Sequence, residues 1–343
     1  MKKLSIIVPV YNAEKWIQET LDSLCGQTYA DKEILCVDDG SKDSSAEIVL
    51  SYAKKFPFVK LISQKNSGVC AARNNGIDNA EGEYIAFCDS DDYLELNAYE
   101  EMIAKLEEEN SDICFCEFVR FWTDGHKQYT HEKSFEKLVR NPHDITYFLY
   151  STPAETKDEH LYTNDIHGAV WRSVFKKTIL NGNNIRFHTD LKFAEDQIFV
   201  LEYLYNVNSI SYIDKHFVWY RGWTKEWVFR DLTENNLNLV KYQAGIVNNN
   251  SFYSKKQKKQ LIGYLMCSAY FMSVNPVFSF LSDADVYMKK LYKEHKDLKK
   301  LLTVYNFAQK YKVKKEFKRI ILFILLKLRM FKTVRRFYPV KRG

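Results

Sequence analysis

The sequence predicts an α/β protein: a mostly parallel, Rossmann-like sheet flanked by helices, followed by a helical C-terminal region. Three observations carry this. Short, continuous apolar runs rich in β-branched residues recur through residues 1–120, and such runs suit strands covered on both faces. Between them lie stretches of helical period joined by short connections, the alternation that builds a parallel sheet. Acidic clusters directly follow two of the apolar runs, and in open parallel sheets ligands sit beyond the carboxyl ends of the strands.

Leu4–Val10 reads as the first strand. Trp16, Ile17, Thr20, Leu21 and Leu24 follow at helical spacing, with Asn12 as the expected N-cap. Glu33–Val37 is a second strand, ending in Asp38-Asp39-Gly40-Ser41. Ser44–Phe56 is a helix whose Ser44 and Glu47 make a capping-box pattern. A strand over Phe58–Ser63, a helix over Val69–Asn79 and a strand over Tyr84–Cys88 come next, the last ending in Asp89-Ser90-Asp91-Asp92. Leu96–Glu109 is helical and Asp112–Val119 a further strand. From Thr123 to Asp165 the chain is polar and mixed, the expected place for an acceptor-binding insertion. Ala169–Ile179 reads as a strand leading into a helix, a helix begins near Ala194, and Tyr212–Tyr220 is a strand. From Asn235 to Gln309 the period is helical without an internal repeat. The expected division is a catalytic domain over 1–230 (halves 1–120 and 121–230), a helical region over 231–311 and a basic tail over 312–343.

The 343 residues are 46% hydrophobic, enough for a substantial core and against wholesale disorder. Aromatics reach 15%; they fill cores, and they also suit sugar-handling sites. Seven cysteines, an odd number, lie mostly inside apolar runs without a CxxC pair, which points to reduced, buried thiols in a cytosolic protein. The apolar start is too short for a signal peptide, and no stretch approaches the roughly 20 apolar residues of a spanning helix. Net charge is +6, but residues 312–343 hold twelve Lys/Arg against one acid, +11, leaving −5 on the rest. Such asymmetry gives the tail an anionic partner.

Asp89-Ser90-Asp91 is a DxD tripeptide on a turn after a buried strand. Two such carboxylates can share a hard divalent cation, Mn²⁺ or Mg²⁺, though acidic turns also arise for purely local reasons. A carboxylate of Asp38 or Asp39 can accept the N3–H of a uracil ring; a turn and helix cap is the alternative. Asn66-Ser67-Gly68 opens a helix carrying small residues and Arg73, where free N–H groups and a fixed positive charge would suit phosphate. Glu195-Asp196 starts another helix. One carboxylate can deprotonate an acceptor hydroxyl, while the other binds the acceptor or caps the helix. Arg221, after Tyr220, could reach a diphosphate.

Taken together, Val8-Pro9-Val10-Tyr11-Asn12, Val37-Asp38-Asp39-Gly40-Ser41, Gly68-Val69 with Ala71-Ala72-Arg73-Asn74, and Glu81-Gly82-Glu83-Tyr84-Ile85 leading into Asp89-Ser90-Asp91-Asp92 resemble the family 2 glycosyltransferases of the GT-A fold, in order and spacing. The match covers residues 1–120, with a looser one from Trp171 through Phe187 and Glu195-Asp196 to Tyr220-Arg221. The resemblance implies that Pro9, Tyr11 and Asp39 hold the base of a nucleotide sugar, with Asn12, Glu14, Asp38, Asn66, Gly68 and Ser90 in the same site. It puts Arg73 near the base or phosphates, Asp89 on the ribose and metal, and Asp91 as main metal ligand. Asp196 would be the catalytic base, with Glu195 supporting the acceptor. Inversion in one displacement follows, with a UDP-sugar as the expected donor. Many relatives carry Ser or Thr soon after the Tyr-Arg pair; here Gly222-Trp223-Thr224-Lys225 follows, which bears on the role of Arg221.

In the tail, Phe317, Ile320, Ile321, Ile324, Leu325, Leu328 and Phe331 fall at helical spacing among basic residues. An interfacial helix on anionic lipid is the expectation, with a packing helix as the alternative and nucleic acid set aside for want of a stacking groove motif. The acceptor would then be a glycan, lipid-linked, in capsule, exopolysaccharide or lipopolysaccharide assembly, made by a cytoplasmic enzyme peripheral on the inner face of the membrane. Competing readings are a catalytically inactive scaffold or sugar-binding module and a sugar-phosphate nucleotidyltransferase. The latter needs a Gly-rich loop where this chain has Val10-Tyr11-Asn12-Ala13-Glu14.

Overall fold

The computed structural model describes residues 3–132, 134–145, 151–153, 162–164, 168–222, 232–281, 284–303 and 323–334. Two compact units divide the chain: residues 1–189 with 195–224, and residues 190–194 with 225–343.

The first unit is built on β1 (Leu4–Val10), α1 (Ile17–Cys25), β2 (Lys32–Asp38), α2 (Ser45–Lys55), β3 (Val59–Ser63), α3 (Val69–Asn79), β4 (Tyr84–Phe87), β5 (Tyr93–Leu94), α4 (Ala98–Glu108), β6 (Ile113–Phe121), β7 (Lys127–Tyr129), α5 (Ser134–Arg140), β8 (Ser151–Pro153), β9 (Tyr162–Asn164), β10 (Ser173–Lys176), α6 (Lys177–Gly182), α7 (Glu195–Tyr205) and β11 (Ile210–Arg221). The nine-stranded sheet runs β3-β2-β1-β4-β10-β6-β11-β5, with β7 on β6, and β8 pairs β9 apart from it. The pairs β3-β2, β2-β1, β1-β4 and β6-β11 are parallel. β10 enters antiparallel between β4 and β6, so the sheet is mixed.

Period-two alternation sorts the strand side chains. Leu4, Ile6, Val8 and Val10 join the core with Ile17, Leu21 and Leu24 of α1, Val49 of α2 and Met102 and Ile103 of α4. Ile7 faces the other way, against Gly76 of α3. There Phe87, Phe175, Phe187 and Phe199 pack edge-on and stacked, with Phe187 and Phe199 parallel at 4.1 Å. Arg172 is fully buried between the rings of Phe118 and Phe135 and ion-paired to Glu117 and Glu132.

Two expected caps do not form. Asn12 does not cap α1: it lies at φ 50°, its amide donates to Ser41 Oγ and its side-chain oxygen accepts from the Lys42 amide, so it ties two loops together. Ser44 precedes α2 without a side-chain cap, and its own amide donates to Glu14. Asp43 instead accepts from the amide and hydroxyl of Ser45.

The second unit is helical: α8 (Thr233–Asn249), α9 (Lys255–Phe280) and α10 (Ala284–Glu294). Of the predicted tail, only residues 323–334 are described. There Leu325, Leu326, Phe331 and Val334 are buried, Phe331 edge-on to Tyr292, whereas Ile324, Leu328 and Met330 are exposed. Part of the apolar stripe therefore packs within the protein, as a packing helix would, and the rest of the tail lies outside the described residues. Among the described residues no helix is long and apolar enough to cross a membrane.

Candidate active site

Beyond the carboxyl ends of β1–β4 opens a cavity of about 420 Å³. The end of β1 supplies Pro9 and Tyr11, the loop after β2 supplies Asp39, the loop before α3 supplies Asn66 and Gly68, α3 supplies Arg73, and the loop after β4 supplies Asp89, Ser90 and Asp91. Tyr11 is 47% exposed, leaving its ring open at the rim. Asp39 is buried, and its carboxylate accepts from Gln64 Nε2 and from the amides of Ser67 and Gly68, at 2.9, 2.7 and 2.8 Å. Gly68 sits at φ 91°, a conformation that favours glycine. Asp38 does not line the cavity; it accepts from the Ser41 amide and shapes the turn. Asn12 and Glu14 lie behind the same loops, bonded as described above.

Arg73 organises the floor. It is 3% exposed and stands over the Phe187 ring. Nη1 donates to Asp196 at 2.5 Å and Glu195 at 3.2 Å, and Nη2 donates to Asp89 at 2.9 Å. Its Nε is buried with no partner among the described residues. Burial alone would disfavour the charge, but Asp196, Asp89 and Glu195 outweigh it and push the guanidinium further up. Asp196 is the unusual acid. Burial pushes it up to about 7 against the pull of Arg73, the charges of Glu195 and Asp89 add to the rise, and the Val170 amide opposes it.

Neighbouring side chains hold these groups. Asn74 donates to the Phe187 carbonyl and accepts from its amide, clamping the loop ahead of α7 onto α3. Asn75 holds Gln64, which holds Asp39. Asp92 is buried beneath the Asp89–Asp91 turn, accepting from the Arg221 amide through Oδ1 while Oδ2 has no partner among the described residues. Burial, then the charges of Asp89 and Asp91, push its carboxyl well above the usual range. Arg221 is directed away from the cavity. Its guanidinium lies between Trp16 and Phe121, bonds the Asp91 carbonyl at 2.9 Å and pairs with Glu19. It braces the acidic turn from behind. These supporting roles of Asn74, Gln64, Asp92 and Arg221 were not read from sequence; the polar composition of the loops was the only signal.

For a divalent cation, Asp89 and Asp91 both offer hard oxygen donors along the cavity, and Arg73 occupies one oxygen of Asp89. That donor set fits Mn²⁺ or Mg²⁺. Glu117, His131 and Asp214 also bring ligand atoms together. However, Glu117 already accepts from Thr130, Tyr212, Arg172 and the Glu132 amide, which leaves little capacity for an ion.

The family model for glycosyl transferase family 2 matches residues 5–179. The chain belongs to this family. It is 33% identical over 218 residues to the uncharacterized glycosyltransferase EpsJ of Bacillus subtilis (strain 168), a match covering 64% of this chain and 60% of EpsJ. It is 30% identical over 223 residues to the poly(ribitol-phosphate) beta-N-acetylglucosaminyltransferase TarS of Staphylococcus aureus (strain MW2), covering 64% of this chain but 35% of TarS. The match thus spans about three-fifths of EpsJ and a third of TarS. The crystal structure of S. aureus TarS 1–349 in complex with UDP-GlcNAc superposes with a TM-score of 0.68 at 23% identity, covering 97% of this chain and 89% of that one. The fold is GT-A: a mixed, mostly parallel sheet flanked by helices, with further helices in the C-terminal region.

Proposed function

We propose that this chain is an inverting glycosyltransferase that moves a sugar from a UDP-sugar to a hydroxyl of a glycan acceptor, lipid-linked, in cell-surface polysaccharide assembly. One observation carries the reading: Pro9, Tyr11 and Asp39 line the same cavity as the acidic turn, and Arg73 joins that turn to Asp196. The TarS complex with UDP-GlcNAc supports a uridine donor, and TarS, a poly(ribitol-phosphate) beta-N-acetylglucosaminyltransferase, supports a polymer acceptor.

In this reading Tyr11 stacks on uracil and Asp39, already fixed by two amides and Gln64, accepts N3–H. Asp91 with Asp89 would hold Mn²⁺ or Mg²⁺, which when bound would neutralise charge at the leaving diphosphate. Asp196 takes the proton of the acceptor hydroxyl. That oxygen bonds to the anomeric carbon from the face opposite the diphosphate, whose C–O bond breaks with the electron pair leaving on the nucleotide. Glu195 holds the acceptor. Arg73 keeps Asp196 aimed and shares the charge of three carboxylates. A peripheral position at the cytoplasmic face of a membrane completes the proposal, and seven cysteines, none of them in a disulfide, are consistent with a reducing compartment.

The test is a nucleotide-sugar panel with Mn²⁺ or Mg²⁺, read by thermal shift and nucleotide release, since a ligand that binds the native state raises its apparent stability. One UDP-sugar should stabilise the wild type only with metal, and Asp91→Ala should lose the effect. No shift with any donor under any metal condition would overturn the reading in favour of an inactive scaffold.

A further inference from the structure

The helical unit carries a second cavity, of about 430 Å³, lined by Lys255, Lys258, Lys259, Ile262, Gly263 and Met266 of α9 and by Asn248 of α8. This falls within the roughly 300–1,000 Å³ of small-molecule sites. The α9 positions recur at intervals of one, three and four, a single stripe along one helix face. Its first turn and a half is cationic and the next is apolar. The opposite face, with Tyr264, Cys267 and Phe271, is buried in the core. Lys258 is fixed by donating to the Asn248 carbonyl at 2.7 Å, which closes one wall.

Two further features select the ligand. Residues 235–280 contain five lysines and no acid, so the segment itself is cationic throughout. Just ahead of it, Phe252 is 42% exposed, at the turn before α9. A free phosphate or a soluble polyanion would use the lysines and leave Ile262, Met266 and Phe252 without purpose. An anionic lipid uses all of them.

We propose that this groove binds an anionic phospholipid of a membrane surface, its phosphate among Lys255, Lys258 and Lys259, its first methylenes over Ile262 and Met266, and Phe252 entering the interface. Clustered lysines beside an exposed aromatic are the elements of an interfacial anchor. These residues lie outside the basic tail in the sequence, and the proposal stands independently of the donor and base assignments.

The test is co-sedimentation of the full chain with vesicles of phosphatidylcholine alone and of an equal mixture with phosphatidylglycerol. The wild type should bind the mixed vesicles. Lys255→Glu with Lys259→Glu should weaken binding about tenfold or more, and Phe252→Ala a few-fold, with circular dichroism and metal-dependent donor binding unchanged. A double reversal on an exposed face of the same unit, Lys289→Glu with Lys293→Glu, should leave binding near wild type. The proposal falls if the wild type ignores mixed vesicles or if the groove variant binds them as well as wild type does. It also falls if both double reversals lose binding equally, or if soluble glycerol phosphate occupies the site while vesicles do not compete.

Discussion

Arg73 and Asp196 are 123 residues apart in sequence and 2.5 Å apart in the fold. Each was visible alone, as a cation on a small-faced helix and as an acid at a helix start. Their pairing was not visible, because nothing local encodes a contact over that separation. Its consequence is a base poised near neutrality. Burial lifts Asp196 to about 7, and a base works in its ionised form, so transfer should rise with pH through about 7. Asp196→Asn should remove that limb and cut turnover by about 10²- to 10⁴-fold while the donor-induced thermal shift survives. A shared loss of donor binding and turnover would instead make Asp196 part of the donor site. Arg73→Met should cost roughly 3–5 kcal/mol in urea unfolding, because it strands paired carboxylates in a buried place. Arg73→Lys should rescue it poorly, since a point-charge ammonium cannot span Asp89 and Asp196 as a fork does.

At the scale of elements, β1, β2 and β4 were legible because each is a buried apolar run punctuated by acids or Asn just past its carboxyl end. The caps were not. Capping patterns assume that a side chain has only its own helix to serve, whereas Asn12 and Glu14 serve amides some 30 residues away. The antiparallel entry of β10 was also hidden, since direction depends on which neighbour a strand finds and not on its own composition. Arg172, an ordinary surface residue by type, became core once Glu117 and Glu132 were brought to it. Helix α3 shows how an element sets the site. A Cβ on Gly76 would run into the Ile7 side chain, so glycine lets α3 lie close on β1 and fixes the height of Arg73, one turn earlier. Gly76→Ala should destabilise by about 1–3 kcal/mol through overpacking and raise the donor KM. Unchanged KM with lowered stability would show that α3 can move without carrying Arg73 out of place.

For the first unit as a whole, the two ends of the sheet divide stability from chemistry. The carboxyl ends gather acids that repel one another. The amino ends gather a satisfied network around Glu33, whose side chain is 1% exposed. It pairs with Lys60 and Lys3, and accepts from Ser5 Oγ and the Glu81 amide. Burial would raise its pKa, but the bonds from Ser5, Lys60 and Glu81 and the charge of Lys3 outweigh this and bring it down to about 2. A folded pKa below the unfolded one adds stability that is complete above the unfolded value, near pH 4.5, and is lost as pH falls through about 2. At neutral pH the contribution is about 3 kcal/mol. Glu33→Gln should therefore lower the unfolding midpoint at pH 7 and flatten the acid limb of stability below pH of about 4.5. It should leave metal-dependent donor binding intact, because the network touches only the amino-terminal ends of β1, β2 and β3 and the turn before β4. If donor affinity fell along with stability, the ends would be coupled through the strands, and the acidic turn would owe its geometry to the whole sheet and not to Asp92 and Arg221 beneath it.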